Sequence, residues 1–157
     1  MAKQADDIAR REIAVNRLLD APQALVFDAW TKPEHVVNWW GPHGFTNTIR
    51  EMDVKAGGTW RFVMHGPDGY DYDNRIIFIE VDKPKLLVYT HGADMEDDPE
   101  QFQVTVTFEN KNKKTLLTMR CLFKTADERD EVVETYGAVQ GNNHTLDRLE
   151  TYLSKMR

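Results

Sequence analysis

The feature that most constrains the fold is a strict alternation of apolar and polar residues over positions 102–109. The apolar positions are Phe102, Val104, Val106 and Phe108, and the polar positions are Gln103, Thr105, Thr107 and Glu109. A period of two is typical of a β-strand with one packed face and one face in water. Residues 60–65 and 117–123 alternate in a similar way, so the sequence predicts a sheet with one apolar face.

Short turn-forming segments divide residues 45–123 into strands. These segments are Gly57-Gly58, Gly66-Pro67-Asp68-Gly69, Lys83-Pro84, the acidic stretch from Asp94 to Glu100, and Asn110-Lys111-Asn112. Strands of 6–10 residues joined by such turns indicate an antiparallel meander of about six strands. Residues 75–81 show no clean alternation, so the inner face of this strand is not predicted.

Residues 11–42 precede this meander and have a different pattern. Residues 11–19 predict a first strand. Two short helices follow, with Pro22 and Pro33 in their first turns and the second covering about residues 32–39. Gly41-Pro42 ends the second helix.

The residues after the meander return to a helical pattern. Thr125 and Glu128 form a capping box, and Gly137 and Gly141 indicate a bend or break. The last helix carries an apolar stripe, which consists of Leu146, Leu149, Leu153 and Met156. This stripe needs an apolar surface to lie on.

Together these elements predict an α+β fold. A curved antiparallel sheet of about six to seven strands wraps around a long C-terminal helix, and two short helices follow strand 1. Such a sheet cannot collapse fully onto a single helix, so we expect a cavity between them.

Composition and charge exclude several classes of protein. The length of 157 residues favours a single domain over residues 1–157, with residues 1–9 loose. The net charge of −6 argues against nucleic-acid binding, which needs clustered Lys and Arg. The single Cys excludes an intrachain disulfide. Without a membrane-length apolar run or a signal peptide, we expect a cytoplasmic protein that is a monomer or a weak homodimer.

Particular residues resemble a known family. They are Ala21-Pro22, Val26-Phe27-Asp28-Ala29-Trp30-Thr31, Pro33-Glu34, Trp39-Trp40-Gly41-Pro42, Phe45, Gly57-Gly58-Thr59-Trp60-Arg61-Phe62, Pro67-Asp68-Gly69, Pro84 with Leu86-Leu87, and Leu146-Asp147-Arg148-Leu149. This pattern resembles the START-like (Bet-v-type, SRPBCC) superfamily with its helix-grip fold. The closer resemblance is to the bacterial family related to the activator of heat-shock-protein-90 ATPase, over about residues 10–155.

The resemblance implies a hydrophobic cavity that binds a small ligand rather than one defined reaction. Two departures from the family pattern are visible. The eukaryotic activator has a separate N-terminal domain for chaperone contact, and we expect that domain to be missing here. Asn142 stands where many relatives carry a bulky aromatic residue, which implies a wider or wetter pocket beside the last helix.

The predicted ligand-binding residues combine the apolar strand faces with side chains that have polar tips. They are Trp40, His43, Trp60, Phe62, Met64, Tyr72, Arg75, Tyr89, His91, Phe102, Met119 and His144. Small-molecule pockets are mostly apolar with a few polar groups. Alternatives stay open: the rings surround a ligand or contact only each other. Likewise, Arg75 lies on an exposed sheet face or meets an anion, and His144 binds ligand or lies at the helix surface.

Three functions are compatible with these residues. The first is binding of a small hydrophobic or amphipathic molecule, such as a lipid, without transforming it. The second is a cyclase or dehydratase that uses pocket acid–base groups, although no paired catalytic motif is visible. The third is contact with a chaperone through the acidic segment from Met95 to Glu100 or through the exposed sheet edge. The five His residues and the lone Cys lack metal-ligand spacing, so we predict no catalytic residues, no metal and no cofactor.

Overall fold

The computed structural model describes residues 2–156, with the side chains of residues 7–135 and 137–156. The helices are α1 (Ala2–Arg11), α2 (Gln23–Thr31), α3 (Pro33–Val36), α4 (Ala126–Tyr136) and α5 (Ala138–Met156). The strands are β1 (Glu12–Leu19), β2 (Thr46–Met52), β3 (Thr59–His65), β4 (Asp71–Asp82), β5 (Leu86–Ala93), β6 (Phe102–Lys111) and β7 (Lys114–Leu122). Among these residues, none of the helices combines the length and the apolar character needed to cross a bilayer.

The seven strands form one antiparallel sheet in the order β1-β7-β6-β5-β4-β3-β2. Strands β2 to β7 are a meander, and β1 pairs with the last strand of that meander. The inner face is apolar and is covered by α5, whose Leu146, Leu149 and Leu153 are buried in the same cluster as the strand side chains. The predicted α+β helix-grip fold is confirmed.

The structure of β4 explains why residues 75–81 show no clean alternation of apolar and polar side chains. Ile76 and Phe78 are buried, whereas Ile77 and Ile79 are exposed. A register shift between Phe78 and Glu80 interrupts the pairing with β5. Because an extra residue moves the following side chains to the other face, Val81 packs against the core and the period of two is broken.

The first residues of the chain differ from the prediction. Residues 1–9 were expected to be loose, which is wrong for residues 2–9, because Ala2–Arg11 is helical. The Arg11 guanidinium forms an ion pair of 3.1 Å with Asp7, one turn earlier, and Arg10 also stands in the last turn. Cations at that position favour a helix through its dipole.

The predicted starts and ends of the other helices agree with the structure in part. The Thr125 side chain caps α4 by accepting a hydrogen bond of 3.1 Å from the Glu128 N–H, as predicted. The break falls at Gly137, whose φ of 61° is left-handed, whereas α5 continues through Gly141. The second short helix, α3, is shorter than expected, and turns follow it to residue 39.

Arg148 connects α5 to the end of the short helices. Its Nη1 group donates to the carbonyl oxygens of Trp40, Gly41 and Pro42 at 2.9, 2.9 and 3.0 Å. Gly41 has a φ of +94°, and a Cβ there would lie 2.7 Å from the terminal methyl of Met64. Two motifs that are distant in sequence, Trp39-Trp40-Gly41-Pro42 and Leu146-Asp147-Arg148-Leu149, therefore meet at one guanidinium.

Replacing Arg148 by Met should lower the free energy of unfolding by about 2–3 kcal/mol, because the carbonyls lose a charged donor in a partly buried place. Urea unfolding followed by tryptophan fluorescence measures this change. The matched control is Arg120→Met, which removes an exposed ion pair of 2.9 Å with Glu12 and should cost under about 1 kcal/mol. Equal losses in the two variants would contradict a structural role for the Arg148 contacts.

Candidate functional site

The candidate site is the inner face of the sheet, where strand register aligns predicted residues from different strands. Trp60 pairs with Ile76, Ile76 with His91, and His91 with Phe102, so these four form one row across β3 to β6. The next row consists of Phe78, Tyr89, Val104 and Cys121. Alternating side chains of paired strands share a face, and α5 packs over these rows.

The rings of the site contact one another in a continuous chain. Ring centroids are 4.8 Å apart for Trp40 and Trp60, and 4.5 Å for Trp60 and Phe62. The chain continues from Phe62 to His91 at 5.9 Å and from His91 to Phe102 at 5.3 Å. These separations are typical of packed aromatic pairs, so most of the predicted rings lie together and touch.

Three polar atoms inside this aromatic cluster have no hydrogen-bond partner among the described residues. They are Trp30 Nε1, Trp60 Nε1 and Tyr89 Oη, and all three are buried. The nearby Trp39 shows the usual arrangement, because its indole donates to the Ala29 carbonyl at 3.0 Å. Leaving a buried donor unpaired costs about 1–3 kcal/mol, so three such atoms in one core require an explanation.

The Tyr89 hydroxyl is the most deeply enclosed of these groups. Burial raises the pKa of Tyr89 well above its ordinary value, and the neighbouring Cys121 thiol adds to the rise, whereas the Trp30 indole opposes it. The indole faces the hydroxyl without reaching hydrogen-bond geometry. The Tyr89 hydroxyl is therefore a neutral group with an unused hydrogen.

Asn142 reaches toward the same region from α5. Its Nδ2 lies 3.8 Å from the Cys121 Sγ, and Cys121 lies in the same cross-strand row as Tyr89, with Val104 between them. Burial raises the pKa of the Cys121 thiol to about 12, so this thiol is not a nucleophile near neutral pH. Asn142 and Cys121 thus add polar atoms to the row that carries Tyr89.

His91 is held as a neutral ring. Its Nε2 lies 2.9 Å from the Asn74 Oδ1, and the Asn74 Nδ2 donates to the Tyr72 carbonyl at 2.9 Å. Since that second bond directs Oδ1 toward the ring, the His91 Nε2–H is the donor. Burial lowers the pKa of His91 from 6.5 to about 4, so the ring is uncharged at neutral pH.

The remaining predicted ligand-binding residues are not part of this chain of contacting rings. Met119 is buried on the inner face, and Met64 packs at its margin beside Gly41. Tyr72 is 46% exposed and its ring faces Phe45. Arg75 does not join the inner cluster, because it lies on the outer face.

On the outer face of the sheet, the Arg75 guanidinium bonds to the Asp94 and Glu96 carboxylates at 3.1 and 3.0 Å.

His43 and His144 lie next to each other, with ring centroids 4.5 Å apart. His43 is about half exposed, so this pair lies at the α5 surface rather than among the rings.

Sequence reasoning missed four residues of the site: Trp30, Asn74, Cys121 and Asn142. Trp30 and Cys121 lie in apolar segments where nothing in the sequence separates them from ordinary packing residues, and no pattern in the irregular β4 sequence points to Asn74. Asn142 carried a signal, since it departs from the aromatic residue of many relatives.

Comparison with known proteins identifies the family. The sequence pattern of the "Activator of Hsp90 ATPase homolog 1-like protein" family matches residues 20–154. The chain belongs to this family. This family lies within the START-like superfamily, and the sheet and α5 of this chain form the corresponding helix-grip fold. No curated protein matches the sequence significantly.

Solved structures of bacterial proteins share the fold of this chain. A protein from Mycobacterium smegmatis has a TM-score of 0.85 at 21% identity, with 96% of each chain covered. A protein from Nitrosomonas europaea has a TM-score of 0.84 at 24% identity, covering 94% of this chain and 97% of its own. A protein from Arthrobacter aurescens has a TM-score of 0.86 at 22% identity, covering 95% and 89%. At these identities the likeness shows the fold alone.

The neutral His91 predicts that the protein loses stability in acid. The unfolded chain binds a proton at the ordinary pKa of 6.5, whereas the folded chain binds it at about 4. The free energy of unfolding should therefore fall as pH drops from 6.5 to 4, with His91 contributing about 3 kcal/mol of that loss. Urea unfolding of wild type and His91→Gln at each pH measures this contribution.

His91→Gln should lose less stability over this window than wild type. His43→Gln, which changes a half-exposed histidine, should keep the wild-type pH dependence. A His91→Gln protein with the wild-type slope between pH 4 and 6.5 would refute the assignment.

Proposed function

We propose that the protein binds a small, neutral, hydrophobic or amphipathic molecule between the inner sheet face and α5. The observation that carries this proposal is the set of unpartnered buried polar atoms at Trp30, Trp60 and Tyr89. A bound molecule with suitable atoms would pair them and remove their desolvation cost. The family and the fold support the same function, and we place the protein in the cytoplasm as a single domain.

The donor chemistry narrows the ligand class. An indole N–H can only donate, and a tyrosine hydroxyl with no acceptor nearby can donate as well. The ligand should therefore present oxygen acceptors, such as carbonyl, ether or hydroxyl oxygens. Its remaining surface should be apolar or aromatic to pack on Trp40, Trp60 and Phe62.

The ligand should also be uncharged at the buried end. His91 is neutral because burial holds its pKa at about 4, and Tyr89 is neutral because burial raises its pKa. A charge placed beside these groups would be desolvated without a counter-ion, which is costly. Because the rings contact one another, ligand entry requires rings to rotate apart or α5 to move outward.

Catalysis has less support than binding. The hydrogen-bond partner of His91 is the Asn74 amide, and an amide cannot exchange protons as a carboxylate would. A histidine–carboxylate hydrogen bond does exist between His65 and Asp71 at 2.7 Å, but it is exposed. It lies at the β3–β4 end on the outer face, away from the aromatic cluster.

Contact with a chaperone is the second candidate, because the family description names an activator of a chaperone ATPase. The acidic stretch 94–100 is its candidate surface. Part of that stretch is used internally: Asp94 pairs with Arg61 and Arg75, and Asp98 accepts bonds from the Ala93 and Glu100 N–H groups. Absence of the chaperone from a pull-down with purified components would count against this candidate.

Ligand binding is tested by tryptophan fluorescence and native mass spectrometry with three probes: benzophenone, 1-dodecanol and laurate. The two neutral probes should bind more tightly than charged laurate. Tyr89→Phe removes one donor and should weaken binding of a neutral probe about 5–10-fold, the value of one hydrogen bond. The same variant should not lower stability in the absence of probe, since the hydroxyl is unpartnered there.

The matched control is Tyr152→Phe. This change removes a hydroxyl that lies 2.7 Å from His35 Nδ1, and it should reduce stability by about 1 kcal/mol without changing probe affinity. The proposal fails if no probe binds with a Kd below about 1 mM. If Tyr89→Phe and wild type bind the neutral probes equally, the Tyr89 hydroxyl is not a hydrogen-bond donor to the ligand.

A further inference from the structure

A pocket lies on the outer side of α5, away from the aromatic cluster. It has a volume of about 280 Å³ and is lined by Asn38, His43, Arg148, Thr151, Tyr152 and Lys155. Every one of these side chains can donate a hydrogen bond. Two are permanent cations, and none is a carboxylate, although the chain carries a net charge of −6.

The charge of Arg148 is not neutralised by a carboxylate among the described residues. Its bonds go to backbone carbonyls of residues 38 and 40–42, and its Nε makes none. Arg17, Arg61 and Arg75 each pair with a carboxylate instead. Partial burial lowers the pKa of Arg148, which shows that water screens this charge less than at an open surface.

The neighbouring groups hold the pocket in shape. The Tyr152 hydroxyl is fixed by its 2.7 Å contact with His35 Nδ1. The His43 ring lies 4.5 Å from the His144 ring at an angle of 49°, and its Nε2 lies 3.6 Å from the Asp147 Oδ2. Asp147 opposes an anion, but Arg17 pairs with the same carboxylate, which reduces that repulsion.

We propose that this pocket binds the oxyanion group, phosphate or carboxylate, of a small molecule. A guanidinium and an ammonium on one pocket wall suit the charge and the several acceptor oxygens of such a group. The Thr151 hydroxyl adds a neutral donor beside them, whereas the Asn38 amide already donates to the Glu34 carbonyl at 2.8 Å. The C-terminal end of α5 lies close by and its dipole disfavours an anion, so a free ion should bind weakly, in the millimolar range.

The test is titration of ¹⁵N-labelled protein with inorganic phosphate and, separately, with acetate at low ionic strength. Either anion should shift the amide signals of Asn38, Thr151 and Lys155 in a saturable manner. Lys155→Gln should raise the Kd about fivefold, as expected for loss of one charge near contact distance at a wet surface. Added sodium chloride should also raise the Kd for either anion, because salt screens the charges.

Lys124→Gln is the matched control, because it removes the same charge from a residue that bonds to the Pro99 carbonyl, outside this pocket. It should leave the Kd unchanged. Equal effects of the two substitutions, or shifts that stay linear for both anions, would overturn the proposal. Arg148 itself is unsuitable for the test because of its structural bonds. Tyr89→Phe should leave anion binding unchanged, so this site and the aromatic site succeed or fail separately.

Discussion

The structure depends on one constraint: a seven-stranded sheet with a single apolar face has one long helix to cover it. Leu146, Leu149 and Leu153 of α5 are buried against that face, and their position fixes where the interior lies. Arg148, on the same helix, reaches the backbone of Trp40-Gly41-Pro42. The guanidinium therefore locks α5 to the short helices, which carry Trp39 and Trp40 into the core.

The interior enclosed in this way is not uniformly apolar. Dense ring contacts fill much of it, as in an ordinary packed core. Tyr89 and two indoles nevertheless have no hydrogen-bond partner in the part of the chain that the structure describes, and His91 is kept neutral by burial. A purely structural core gains stability when such groups are replaced by apolar ones. The proposed bound molecule would pair these groups, and this is the argument that supports the proposal of ligand binding.

The outer side of α5 has the opposite character. There the cations of Arg148 and Lys155 face a pocket with no carboxylate in its lining. One residue thus has two roles, because Arg148 satisfies backbone carbonyls with Nη1 and contributes its charge to a surface pocket. The two candidate sites lie on opposite sides of the same helix and differ in chemistry: one is neutral and aromatic, and the other is cationic.

Much of the fold could be predicted from the sequence. The alternation in β3, β6 and β7, the Thr125 cap and the leucine stripe each reflect a local rule, and each was correct. The bulge in β4 could not be predicted, because an inserted residue destroys the periodicity that carries the signal. The helix at residues 2–11 was also missed, since it depends on weak i,i+4 pairing in a polar segment.

The candidate site also combines features that the sequence predicts with features that only the tertiary structure shows. The sequence by itself determined which rings share a strand face, because side-chain direction follows directly from the pleat of a strand. The tertiary structure decided which of those rings meet. Strand register aligns Trp60, His91 and Phe102, which are too far apart in the sequence for any local pattern to relate them. The tertiary structure also decided which polar atoms stay unpaired and where Arg148 and Lys155 converge, because those properties depend on three-dimensional proximity between distant parts of the chain.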